Sequence, residues 1–61
     1  MEKFGLFKYK IFQNLGKPGY FYQIYNDDET VLREAKELFQ YEGIARFAAI
    51  GHISLLEQGK G

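Results

Sequence analysis

The 61-residue chain carries eight basic and eight acidic residues, one histidine and no cysteine, which makes one domain at most. Disulfides and thiolate metal sites are excluded, a lone histidine argues against a zinc cage, and zero net charge supplies no surplus of Lys and Arg for gripping phosphates. A chain this short buries only about 60% of its unfolded surface, and of the usual staples (disulfide, metal, partner subunit) only self-association is left.

The amino terminus, "MEKFGLFKYK", lacks the apolar core and small-residue cleavage site of a signal peptide. No segment approaches the ~20 continuous apolar residues of a membrane helix. A soluble cytoplasmic protein is the default expectation. Lys3, Lys8, Lys10 and Lys17 gather in the first third of the chain while the middle is acidic, a pattern read as a solvated edge or face of a sheet.

Residues 7–13, "FKYKIFQ", alternate: Phe7, Tyr9 and Ile11 point one way, Lys8, Lys10 and Phe12 the other. Period two with aromatic and branched residues predicts a strand. "NLGKPG" is turn chemistry, and neither a dinucleotide nor a P-loop fingerprint can be read at Gly16 and Gly19. "YFYQIY", residues 20–25, predicts a second strand with Tyr20, Tyr22 and Ile24 on one face and Phe21, Gln23 and Tyr25 on the other. The two make an antiparallel hairpin.

"NDDE" at 26–29 reads as a second turn. Asp27, Asp28 and Glu29 lack the alternating oxygen donors and distant Glu of a calcium loop, so a solvated turn is their expected role. "TVLREAKELF" fits two structures. Val31, Leu32, Ala35, Leu38 and Phe39 recur at helical spacing, whereas Thr30, Val31 and Leu32 support a strand. Periodicity by itself chooses the helix.

"EGIARFAAIGHISLLEQG" is a helix with Gly59 placed for its C-terminal cap. At about 100° per residue, Ile44, Phe47, Ala48, Gly51 and Leu55 form one apolar stripe. Ala45, Ala49, Ile53 and Leu56 form a second, roughly a third of a turn round. A single helix on a small sheet needs one stripe. Another copy of the chain is the economical cover for the other, with Ala45, Ala49, Ile53 and Leu56 the expected dimer interface.

His52 has Ser54 and Glu57 nearby in sequence, but neither shares its helical face. A histidine on a helix flank or an interface is therefore expected, with no catalytic role. No catalytic, metal or cofactor residue and no small-molecule substrate is identified. Residues 9–26 hold six of the eleven Tyr and Phe residues. One sheet face must receive the helix, which leaves Phe12, Phe21 and Tyr25, with Lys8 and Lys10, as a base-stacking alternative for single-stranded nucleic acid. Core plus self-association is the favoured reading, and nucleic acid the less favoured partner.

"YKIFQ", then glycines, then "YFYQIYNDDETVL", then an alanine-rich helix carrying "IGHI", resembles the YegP-like family of small bacterial proteins of unknown function. The matching features are the aromatic-x-aromatic-x-aliphatic strand of Tyr20, Tyr22 and Ile24, and two helical aliphatics three apart, Ile50 and Ile53. The resemblance spans roughly residues 7–56, with Asp28 and Glu29 where that family usually carries Asn-Gly and Ala35 where it carries serine. It implies that "TVLREA" is a strand, within a β-β-β-α-β unit found as tandem repeats or as two subunits exchanging C-terminal strands. The final strand has no evident counterpart after Gly59. The expected fold is thus α+β: a three-stranded antiparallel sheet and one C-terminal helix (β-β-β-α) in a single domain, residues 1–61. A homodimer is the implied state, with a strand-exchanged pair and a pair without the swap as the two alternatives, and there are no catalytic residues to carry over.

Overall fold

The computed structural model describes residues 1–61 as an α+β unit: four antiparallel strands in the order β1-β2-β3-β4, with one helix laid across a single face. The strands are β1 (Glu2–Phe4), β2 (Phe7–Gln13), β3 (Tyr20–Tyr25) and β4 (Val31–Glu34), and the helix is α1 (Glu42–Glu57). The three-stranded expectation is corrected to four. The additional strand comes from the amino terminus, beside β2, and residues 58–61 form no strand.

β1 exists because a two-residue turn folds it back. Phe4 pairs with Phe7, Lys3 with Lys8 and Glu2 with Tyr9. Gly5, at φ 57°, occupies the first central position, where a hairpin of this length favours glycine. β2 and β3 pair from Lys8↔Tyr25 to Gln13↔Tyr20, so the two alternating patterns lie in register. Their loop is closed by the Asn14 amide donating to the Gly19 carbonyl at 2.9 Å. Gly19 has φ 147°, and a Cβ there would stand 3.0 Å from the Leu38 side chain.

The turn at 26–30 joins β3 to β4. The Glu29 amide donates to the Asn26 carbonyl and the Asn26 amide to the Thr30 carbonyl, each at 2.9 Å. Glu29 sits at φ 68°, the one non-glycine residue in the left-handed region, so the turn takes its positive-φ residue although Gly is missing. Asp28 repairs part of that cost. Its carboxylate accepts from the Thr30 hydroxyl at 2.7 Å and the Thr30 amide at 3.1 Å, and the hydroxyl contact, followed by the backbone one, holds its pKa below the ordinary value.

Residues 31–34 are a strand, which overturns the helical periodicity read for 30–39. Gln23 pairs with Glu34 and Ile24 with Arg33, with a register shift at Ile24/Tyr25. Beyond it the Ala35 amide donates to the Tyr22 carbonyl, and Phe39 and Tyr20 exchange both backbone hydrogen bonds at 2.8 Å. The β3 edge thus captures both ends of the 35–39 segment. A free edge needing partners outweighs a local helical pattern.

α1 starts at Tyr41 without a side-chain cap, with Glu42 in its first turn. It ends on Gly59 at φ 78°. The Gly59 amide reaches the Leu56 carbonyl and the Lys60 amide the Leu55 carbonyl, at 3.0 and 2.8 Å, the pairing of a Schellman cap. The core lies between helix and sheet. Tyr9, Tyr22 and Ile24 meet Ala49 and Ile53, with Phe7, Ile11, Phe39, Ile50 and Leu56 packed around them.

The stripe that docks on the sheet is therefore Ala45, Ala49 and Ile53, each 0% exposed, with Leu56 packed against the same cluster. This corrects the assignment of Ala45, Ala49 and Ile53 to a dimer interface, because they are already covered within one chain, while Leu56 stays partly exposed at the edge of the stripe. The physical reason is size. Two tyrosine rings on the sheet fill the space under the helix, and only alanines let its backbone come close enough. The stripe left in solvent is the other one.

Candidate functional site

The two flanks of α1 are built differently. On the β1 side, Arg46 forms an ion pair with Glu2 and stacks over the Tyr9 ring, and Glu42 supports it one turn back at 3.3 Å. Further along that flank, the Glu57 carboxylate accepts from the Leu6 amide at 2.7 Å, and a Cβ on Gly5 would collide with it. The helix therefore clasps the β1–β2 turn through polar contacts. Sequence reading finds neither Arg46 nor Glu57. The only signal for them is Gly5, whose "FGLF" setting marks the turn that Glu57 holds.

On the β4 side a groove of about 510 Å³ runs between α1 and residues 34–39. Tyr22 and Phe39 line it from the sheet side; Ala48, Gly51, His52 and Leu55 line it from the helix; Glu34, Lys36 and Glu37 form its polar rim. The Tyr22 and Phe39 rings stack with centroids 6.1 Å apart, and His52 meets Tyr22 edge-on at 5.8 Å. The helix beside the groove stays apolar as it turns into solvent: Phe47 is 77% exposed, Ile44 50% and Leu55 46%. Leu38 and Tyr41 are exposed next to it in sequence. From Phe47 to Leu56 the chain carries no charged residue.

His52 is half-buried at the groove wall, with Nδ1 2.8 Å from the Tyr22 hydroxyl. Burial, followed by the negative charge of Glu37, raises the Tyr22 pKa above its ordinary value, so the phenol keeps its proton, and the His52 tautomer sets which of the two groups donates. The residues a triad would need are engaged elsewhere: the Ser54 hydroxyl donates to the Ile50 carbonyl at 3.2 Å, and Glu57 holds Leu6. No group of three His, Cys, Asp or Glu residues stands together as a metal site. The pair thus serves to satisfy two polar groups beside an apolar surface.

The opposite sheet face carries the residues of the base-stacking alternative. Phe12 and Phe21 oppose each other across β2 and β3 and stack at 5.2 Å, with the Lys10 ammonium 5.3 Å from the Phe12 ring. Tyr25 is not available there. It is buried at 6% exposure and its hydroxyl donates to the Gln23 amide oxygen at 2.6 Å, while burial, then the Glu34 charge, raises its pKa. Lys8 is half-buried and directed to the 26–30 turn, reaching the Asp27 carbonyl at 3.3 Å and Glu29 at 3.6 Å. Of five residues, the face keeps Lys10, Phe12 and Phe21, and the two rings already cover each other.

No family model, curated protein or solved structure matches the chain. No helix is long and apolar enough to cross a membrane.

Proposed function

We propose that the protein is a non-catalytic, self-associating module, a cytoplasmic homodimer whose interface is the β4-side flank of α1. The observation that carries this reading is the uncharged stripe of Ile44, Phe47 and Leu55, exposed beside the apolar groove. Contiguous apolar surface of this kind marks association. The chain is small enough that covering the stripe adds a large fraction to its buried core. The YegP-like resemblance, with its paired units, points the same way.

Leu55→Glu tests it, since position 55 is about half-exposed at the rim of the groove in the single chain. The variant keeps the parent's circular dichroism but sediments as one subunit. Equal subunit numbers for variant and parent would remove the flank as the interface. A second reading, single-stranded nucleic-acid binding, has the Phe12–Phe21 stack and Lys10 in its favour. Titration with labelled oligonucleotides separates the two, because tight binding that weakens steeply with salt belongs only to the second.

A further inference from the structure

We infer that the groove between α1 and residues 34–39 is a binding site for a small methylated ammonium ion, seated against the rings of Tyr22, Phe39 and His52 with Glu37 as its counter-charge. Every wall of the groove comes from one chain, so the site goes beyond self-association and does not depend on it.

Tyr22 and Phe39 lie near parallel, at 26°, and form one wall, while the His52 ring stands at 87° to Tyr22 and forms a second. Ring planes meeting at nearly a right angle let one compact cation touch both walls. The negative face of a tyrosine or phenylalanine ring attracts such a cation. The groove, at about 510 Å³, lies within the roughly 300–1,000 Å³ of small-molecule sites.

The charges on the rim decide the sign of the ligand. They are Glu34, Glu37 and Lys36, two carboxylates to one ammonium. The Glu34 carboxylate already accepts from the Gln23 amide at 2.5 Å. None of the chain's three ion pairs uses Glu37, whose carboxylate is left without a counter-ion. Glu37 also faces the aromatic wall closely enough to act on it. After burial, its charge is what raises the pKa of the Tyr22 phenol. An anion entering the groove would meet that same charge.

The lining then selects among cations. A primary ammonium brings three N–H donors, and donors left unmet in an apolar groove cost their full desolvation. Below the rim the walls are rings and the aliphatic surface of Ala48 and Leu55. Tyr22 and His52 spend their facing polar atoms on each other at 2.8 Å. A methylated ammonium keeps its charge and presents methyl groups where those donors would be, which is what aromatic walls accommodate.

The test is a titration of the full chain with choline, followed by proton NMR. Saturable shifts are expected in the rings of Tyr22, Phe39 and His52, with Phe47 on the outer flank unmoved. Dimethylbutanol, the neutral carbon isostere of choline, is expected to bind about three- to thirtyfold more weakly. Glu37→Gln, at an exposed position, is expected to weaken choline binding while leaving the circular dichroism unchanged. Shifts that do not saturate, shifts confined to Phe47, an isostere that binds equally well, or a Glu37→Gln variant that binds like the parent would each overturn the site. Choline binding by a protein that stays a single subunit would leave this site standing and remove self-association alone.

Discussion

The two flanks of α1 differ in one respect that decides their roles. Towards β1, the helix presents Arg46 and Glu57, and each finds a partner within the chain: Glu2 and the Tyr9 ring for one, the Leu6 amide for the other. Away from the sheet and towards β4 it presents Ile44, Phe47 and Leu55, which stay 46–77% exposed. Polar contacts complete a small fold cheaply, because a charge that loses its partner returns to water. An uncovered apolar flank is unsatisfied until something displaces the water on it. The asymmetry teaches that this fold is closed on one side of its helix and open on the other.

The largest expected effect comes from confusing the docked stripe with the open one. Ala49→Glu places a carboxylate under the helix, where no cation is at hand, and costs about 3–5 kcal/mol. For a chain of this size that removes the cooperative thermal transition. A variant that melts like the parent would mean that the Ala45–Ala49–Ile53 stripe is not the core. Leu55→Glu, on the open flank, leaves the transition of the isolated subunit within about 0.5 kcal/mol.

Loosening the closed flank is milder. Arg46→Ala removes the ion pair to Glu2 and the stacking on Tyr9; both partners are partly exposed, so the loss is about 0.5–1 kcal/mol. Amide exchange should accelerate first in β1, and uniform acceleration across all strands would contradict the clasp. In the opposite direction, Glu29→Gly relieves a left-handed residue and raises stability by about 1 kcal/mol, read as a higher melting temperature. The turn also predicts a pH response. Asp28 has its pKa lowered in the folded chain, so its contribution is complete above the ordinary carboxylate value and is lost as pH falls through the folded one. Asp28→Asn should flatten the acid limb of a stability–pH curve. Tyr22 acts with the opposite sign, its contribution lost above pH ~10 as the unfolded phenol ionises first.

Much of this was legible in the residues. Two alternating runs with glycines between them declare β2 and β3, because half-buried strands must alternate. The helix and its Gly59 cap declare themselves equally well. β1 was not legible, since three exposed residues carry no burial pattern, and only the Gly5 turn creates the strand. β4 was misread by periodicity because its identity comes from the β3 edge it pairs with. The two apolar stripes were visible as a pair. Which stripe docks was not, because a hydrophobicity count ranks Ala49 and Phe47 alike in sign. The decision lies in the volume of Tyr9 and Tyr22 beneath the helix.

The most direct test of the open flank is the mass in solution, by sedimentation equilibrium across a wide dilution series. A reversible shift between one and two units of 7.1 kDa, with the two-unit species dominant at high concentration, is the predicted result. A cooperatively folded species of one unit at every concentration would contradict the account.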